Sequence, residues 1–452
     1  MKYYPFILAA FILCAMSCTD EVKLITLDPG HFHAALVQKT SYPQVSNEVY
    51  VYAPAGNEVE DHLKKIDEYN ARTDNPTHWN EIVYTGADFL ERMLAEKKGN
   101  VLVTAGNNAR KTEYIERAIT GGLNVLADKP MAIHTEGFEK LKACFDLAAS
   151  QGLLLYDIMT ERYEITTILQ KELSRIPAVY GEQLTGSPDD PAVVKESVHH
   201  FLKTVSGSPL IRPAWFFDVE QEGAGIVDVA THLVDLVQWE LFPEQVIDYQ
   251  SDIDLLDANH WSTSLTMEQF KEVTGYDSYP AYLQSALTGG DTLNVFSNGD
   301  ITYKIKGIHA KVSVVWNYSY PEGGGDTHFS VMKGSLANLL IRQGAEQGYK
   351  PALFVEATET AGDPEVYAEA LQQAITGLAG TYPGLSLSRS DTNTWEINIP
   401  DTYRNGHEAH FGQVMEHFLD YLKAGALPAW EVPGMIAKYY VTTHALQLAK
   451  AK

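Results

Sequence analysis

Val125-Leu126-Ala127-Asp128-Lys129-Pro130 is the stretch on which the reading of this chain turns. Three small or apolar residues suited to a buried strand run into an acid, a lysine and a proline. Open α/β sheets bind their ligands in the crevice beyond such strand ends. Working outward, short apolar runs alternate with helical patterns, the signature of βαβ units around a parallel sheet. Val22 to Leu27 reads as the first strand and His33 to Lys39 as the start of a helix. Val49 to Tyr52 is a second strand, followed by a polar helix over Asp61 to Tyr69. Val101 to Thr104 precedes a helix over Ala109 to Thr120, closed by Gly121-Gly122. Asn124 to Ala127 is the next strand, Thr135 caps the following helix, and Leu153 to Tyr156 completes the unit.

Beyond Glu161 the pattern changes. Helices are expected over Ile165 to Leu173 and Gly225 to Glu240, separated by the Pro- and Asp-rich loop Ser187 to Pro191. Alternating segments at Thr302 to Lys306, Lys311 to Tyr318 and Phe329 to Lys333 suggest an antiparallel sheet with one open face. Ala345 to Gly380 reads as a loop with a helix near Tyr367 to Thr376. Helices over His410 to Lys423 and Pro433 to Ala449 end the chain. The fold class is thus α/β. A Rossmann-type, doubly wound parallel sheet over residues 19–157 is followed by an α+β unit over 158–452 with a mostly antiparallel, open-faced sheet.

At 452 residues the chain has room for two or three domains. Its net charge of −25 repels phosphate backbones and anionic headgroups, which argues against nucleic acid as a partner. Residues 1–18 read as a leader. Lys2 precedes an apolar run, Phe6 to Ala15, too short for a permanent membrane span. Ala15-Met16-Ser17-Cys18 resembles a bacterial lipobox, with Cys18 the lipidated residue, and implies a lipoprotein of the cell envelope; an ordinary secretory signal is the alternative. Of three cysteines, Cys14 belongs to the leader, so only Cys144 remains in the folded body. It sits in a helical pattern as a small hydrophobe and can form no internal disulfide.

The second informative stretch is Gly223-Ala224-Gly225-Ile226-Val227-Asp228-Val229-Ala230-Thr231-His232-Leu233-Val234-Asp235. Asp228 and His232 stand at i, i+4, on one helical face with Asp235 close by. Paired glycines before the helix allow a close backbone approach to a ligand. With Asp128-Lys129-Pro130, this resembles the glucose-fructose oxidoreductase, inositol dehydrogenase and rhizopine-catabolism (Gfo/Idh/MocA) family. That family has Glu-Lys-Pro at a Rossmann strand end, then a glycine-rich turn into Asp-xxx-His. Trp215 and Arg162 fall where the family has a tryptophan and an arginine. The resemblance implies a two-domain oxidoreductase using NAD or NADP, with Lys129, Asp228 and His232 catalytic. It further implies a homo-oligomer assembled through the open sheet face. His232 suits the transfer of a hydroxyl proton, Lys129 a hydrogen bond to the reacting oxygen, and Asp228 the orientation of His232 or substrate.

The cofactor loop departs from the family. Instead of G-x-G-x-x-G the chain has Asp28-Pro29-Gly30-His31-Phe32-His33, keeping only the middle glycine. No acid directly follows the second strand; Glu58 and Glu60 come a few residues late. Either the cofactor is held by other contacts, or weakly, or the site has lost it. Candidate cofactor residues are Gly30, His31, Phe32, His33, Asn107, Asp128 and Lys129. Candidate substrate residues are Arg162, His199, Arg212, Trp215 and Asp235. The close pairs His31/His33, His199/His200 and His407/His410 lack a zinc-protease spacing, and no metal centre is expected.

Three functions fit this reading. The first is oxidation of a ring hydroxyl of a sugar or glycoside by a tightly held NAD(P), which would suit a compartment where free cofactor is scarce. The second is a glycoside hydrolase working by transient oxidation and elimination, which needs no carboxylate pair of the usual kind. The third is a non-catalytic sugar-binding lipoprotein on the same scaffold.

Overall fold

The computed structural model describes residues 21–205 and 208–452. The leader and Cys18 lie outside the described residues.

The first domain is a six-stranded parallel sheet of β1 (Leu24–Leu27), β2 (Glu48–Ala53), β3 (Asn80–Thr85), β4 (Val101–Thr104), β5 (Asn124–Asp128) and β6 (Leu155–Ile158). Their order is β3-β2-β1-β4-β5-β6, the doubly wound arrangement. β1, β4 and β6 are buried along their whole length, as strands covered by helices on both faces must be. The connections carry α1 (His33–Leu36), α2 (Asn57–Asn70), α3 (Phe89–Glu96), α4 (Asn108–Thr120) and α5 (Thr135–Gln151). The strand order reverses between β1 and β4, so the loops after β1, β4 and β5 converge on one crevice.

The strand β3 and helix α3 escape the sequence reading. β3 is an edge strand with Ile82 and Val83 both exposed, so it shows neither a buried run nor alternation. The cap of α5 is His134, whose Nδ1 accepts from the Gly137 amide at 2.9 Å, and not Thr135, which is the first helical residue. Cys144 is buried in α5, as expected.

The second domain contributes α6 (Ile165–Ser174), α7 (Pro177–Tyr180), β7 (Val193–Leu202), the short pair β8 (Thr204–Val205) and β9 (Ser208–Pro209), and α8 (Ala230–Leu241). β10 (Ile253–Thr266), α9 (Met267–Thr274), β11 (Leu287–Thr288), β12 (Thr292–Ile305), β13 (Ile308–Ser319), β14 (Thr327–Lys333) and β15 (Ala337–Gln343) come next. β16 (Ala352–Ala357), α10 (Pro364–Leu378), β17 (Ser386–Asp391) and β18 (Thr394–Asn398) complete its sheet. The strands run β10-β12-β13-β7-β14-β15-β16-β18-β17, with β11 on β12. Every pairing is antiparallel except β7 with β13. β16 lies inside the stretch read from sequence as loop.

The chain ends in α11 (His407–Ala424) and α12 (Glu431–Lys450). β6 runs to Ile158, so a division at 157/158 falls at the end of the first sheet's last strand, and the two cores interpenetrate beyond it. Phe411, Val414, Met415, Phe418 and Leu419 of α11 join the core of the first domain. α12 is apolar nearly all round: Met435 and Tyr439 enter that core, while Ala437, Val441, Ala445 and Leu446 enter the other.

Candidate active site

β5 ends in Asp128, and the next peptide bond, Lys129–Pro130, is cis. The lysine Nζ meets the Asp228 carboxylate in a short, nearly buried ion pair. Burial alone would lower the Lys129 pKa. Asp228 and Asp128 outweigh it and raise it, so the ammonium form persists. Asp228 lies in the turns preceding α8, and His232 in the first turn of that helix. Asp228 is thus the counter-ion of Lys129 and not the orienting partner of His232. The His232 Nδ1 is buried with no partner among the described residues. Burial first, then the Lys129 charge, lowers its pKa to about 4, leaving a neutral ring able to take a proton.

The glycines before α8 have another purpose than ligand approach. A Cβ at Gly225 would sit 1.7 Å from the Ser297 carbonyl oxygen of β12, and one at Gly223, where φ is +98°, 2.9 Å from Ile133. The turn is pressed between β12 and the loop that follows Lys129, which brings Asp228 to the lysine.

Together these residues line a cleft of about 1020 Å³ between the domains. His31, Phe32, His33, Lys129, His199, Arg212, Asp228 and His232 form part of its wall; Gly30, Asn107, Asp128, Arg162, Trp215 and Asp235 do not. On the inward face of β7, Lys195 is sealed against Glu240, while Ser197 and His199, two and four residues on, reach the cleft. His199 stacks on Trp316 at 5.0 Å and faces Asp326 at 3.6 Å. Asp326 also accepts from His200 and Lys203. Arg212 is spent on structure: it donates to the carbonyls of Phe201 and His200 and lies over Phe216 and Trp316.

Arg162 and Asp235 are likewise committed away from substrate. The guanidinium of Arg162 grips both oxygens of Asp235, at 2.6 and 2.7 Å, and both of Glu431 at 3.1 Å. Lys438 of α12 bridges Asp235, at 2.8 Å, and Asp157 of β6, at 2.7 Å. This buried network ties β6, α8 and α12 together. Arg162 and Lys438 hold the Asp235 carboxyl well below the usual range against its burial.

Sequence reasoning missed several cleft residues. Glu222 is buried beside Asp228, and burial with that neighbouring charge pushes its carboxyl well above the usual range. Asn108 donates to its Oε2 at 3.0 Å. Glu161 pairs with His407 at 3.2 Å, and His328 and His410 complete the histidine-rich wall. The pair His407/His410 was visible in the sequence, but nothing there says that α11 folds back over the crevice.

The loop after β1 departs from a dinucleotide fingerprint in a specific way. Asp28 takes the left-handed backbone, φ 49°, that the first glycine would occupy, and its carboxylate accepts from Tyr114 at 2.6 Å with Arg110 at 3.7 Å. The Gly30 amide bonds to Asp28 and the His31 amide to Ala105. Glu58, in the first turn of α2, reaches back to within 3.2 Å of where a Gly30 Cβ would lie and accepts from Trp215 Nε1 at 2.6 Å. Trp215 therefore packs on this loop and is not part of the cleft wall. Asn107 caps α4 and donates to Gln221.

Residues 169–450 match the family described as "Putative oxidoreductase C terminal domain". The chain belongs to this oxidoreductase family. It is 63% identical to a "putative oxidoreductase" from Parabacteroides merdae of known crystal structure, over 95% of this chain and 98% of that one, with a TM-score of 0.93. More distant likenesses are levoglucosan dehydrogenase in complex with NADH and L-sorbose, and a 3-ketoreductase from Actinomadura kijaniata with NADP. The first has 12% identity over 95% and 97% of the two chains, TM-score 0.60; the second 11% over 93% and 96%, TM-score 0.56. At these identities the likeness establishes the fold alone, a two-domain fold as the resemblance to the Gfo/Idh/MocA family implied. No curated protein sequence matches the chain.

Proposed function

We infer that this oxidoreductase transfers hydride between NAD(P) and a ring carbon of a sugar or glycoside. The observation that carries the reading is the ion pair of Lys129 with Asp228 at the end of β5, with His232 on the same cleft wall. At one end the residues fit the cofactor: Lys129 stands at a strand end on the cleft wall, where such sheets bind their ligands. At the other, Glu58 sets a carboxylate against the bare backbone of Gly30, the middle glycine of the fingerprint, where it would repel a pyrophosphate. Gly30 to His33, Asn107, Asp128 and Lys129 would hold the cofactor. The loop amides already bonded within the fold leave much of that holding to side chains.

When bound, the nicotinamide supplies an acceptor for the hydride leaving the C–H bond. His232 takes the hydroxyl proton, as a neutral ring can. Lys129, kept charged by Asp228, donates to the same oxygen and stabilises negative charge there. His199, Ser197 and Trp316 offer polar groups and an aromatic face to the rest of the sugar. The likenesses to a levoglucosan dehydrogenase and a 3-ketoreductase support a carbohydrate substrate.

The test is to denature protein lacking residues 1–18 and assay released nicotinamide cofactor. Intact protein is then given a panel of sugars and glycosides, and keto-sugar is followed alongside aglycone. Bound cofactor with keto-sugar formation is expected. Aglycone release with the sugar recovered unoxidised would move the reading to a hydrolase, and neither cofactor nor turnover would end it. We place the protein in the cell envelope on the strength of the leader and Cys18. Labelled palmitate incorporation that is lost in Cys18→Ser is the expected result.

A further inference from the structure

His31 and His33 face the cleft two residues apart, and Asp128 stands behind them. The His33 Nδ1 lies 3.0 Å from Asp128 Oδ2 and the His31 Nδ1 3.8 Å from the same oxygen. One donor atom from each of the three residues falls within a mutual span of 4.8 Å. Ligands at about 2.0–2.2 Å from a tetrahedral ion are separated by about 3.3–3.6 Å, so the set needs only small adjustments to close on one. The rings meet edge to face at 4.0 Å, and Phe411 at 4.6 Å backs His33. We propose that His31, His33 and Asp128 form a binding site for a divalent first-row transition ion of the zinc class, open on the cleft side.

The charge arrangement favours this. Asp128 is only 4% exposed, and among the described residues no lysine or arginine is within ion-pair distance of it. The nearby Lys129 is spent on Asp228 and Lys111 on Asn108. Among the described residues imidazole is the hydrogen-bonding partner of this buried carboxylate, with the Lys129 and Lys111 charges acting from further off, and a cation would meet it directly. The one competing contact is long: the His33 amide is 3.4 Å from His31 Nδ1. Two imidazoles and a carboxylate are the donors of open catalytic-type sites, whereas closed structural zinc sites use four protein ligands. The open position would take water or a substrate hydroxyl. The site replaces the last glycine of a dinucleotide fingerprint with a ligand, which gives a physical reason for His33. It rests on these distances, and it draws on His31, His33 and Asp128, which the NAD(P) reading also uses.

The experiment uses the mature protein stripped with a chelator and then given Zn²⁺ alone. Metal retained after gel filtration is measured by elemental analysis, and Co²⁺ is substituted to read its visible bands. About one equivalent of Zn²⁺ is expected in the parent and in His410→Ala, which removes a cleft histidine outside the set. Less than about a tenth of an equivalent is expected in the His31→Ala/His33→Ala double variant and in Asp128→Asn. Thermal melts confirm that each variant is folded. Cobalt bands of tetrahedral or five-coordinate nitrogen–oxygen type are expected, absent from the double variant. No retained metal in the parent, or equal retention in a folded double variant, would overturn the proposal. Because the readout is metal content, failure here leaves the oxidoreductase reading intact.

Discussion

At the residue scale the chemistry rests on two groups with opposed charge states. Lys129 stays cationic because two carboxylates outweigh its burial, while His232 stays neutral because burial and the lysine disfavour its charge. If His232 is the proton acceptor, kcat/KM should hold a plateau from about pH 5 into the alkaline range. It should fall only as the ring protonates near its lowered pKa of about 4. A pH–rate profile on the best sugar checks this, and an acid limb between pH 6 and 7 would assign the proton to another group. Lys129→Met should lower kcat by about 10²-fold or more, since the lost donor acts on the reacting oxygen. Cys144 is the quiet counterpart. Burial pushes its thiol up to about 12, so it should resist thiol reagents in the folded protein and react fully in denaturant.

At the scale of elements, what was legible in the sequence tracks burial. β1, β4, β5 and β6 are apolar because helices cover both faces, and each was readable within a residue or two. β3 was not, because an edge strand exposed on both faces carries no period. Lys129, Asp228 and His232 were legible as motifs, but their wiring was not. A helical i, i+4 spacing suggests an Asp228–His232 partnership, whereas the turn before α8 aims Asp228 at a lysine 99 positions away. Arg162 and Asp235 were misassigned to substrate for a similar reason. Their partners, Glu431 and Lys438, lie more than 200 positions further on, and no local pattern announces such a network. The glycine turn gives a sharp test. Gly225→Ala would force a methyl into the Ser297 carbonyl and should cost about 1–3 kcal/mol or more in denaturant unfolding, against a near-neutral change at exposed Gly56.

At the scale of the molecule the C-terminal helices also join the two sheets. Lys438 is wholly buried between Asp157 and Asp235, one carboxylate from each domain. Removing one partner of such a set leaves charge uncompensated, so Lys438→Met should destabilise by about 3–5 kcal/mol, read from urea melts. The double change Lys438→Met/Asp157→Asn should recover part of that loss. Because α11 and α12 complete the core of the domain made first, the order of synthesis and the order of closure are opposed. Until the last few dozen residues emerge, the first sheet has an uncovered apolar flank, and the acids at its edge lack their cation. A chain cut after α10 should therefore be a client for chaperones or proteases and not a smaller enzyme.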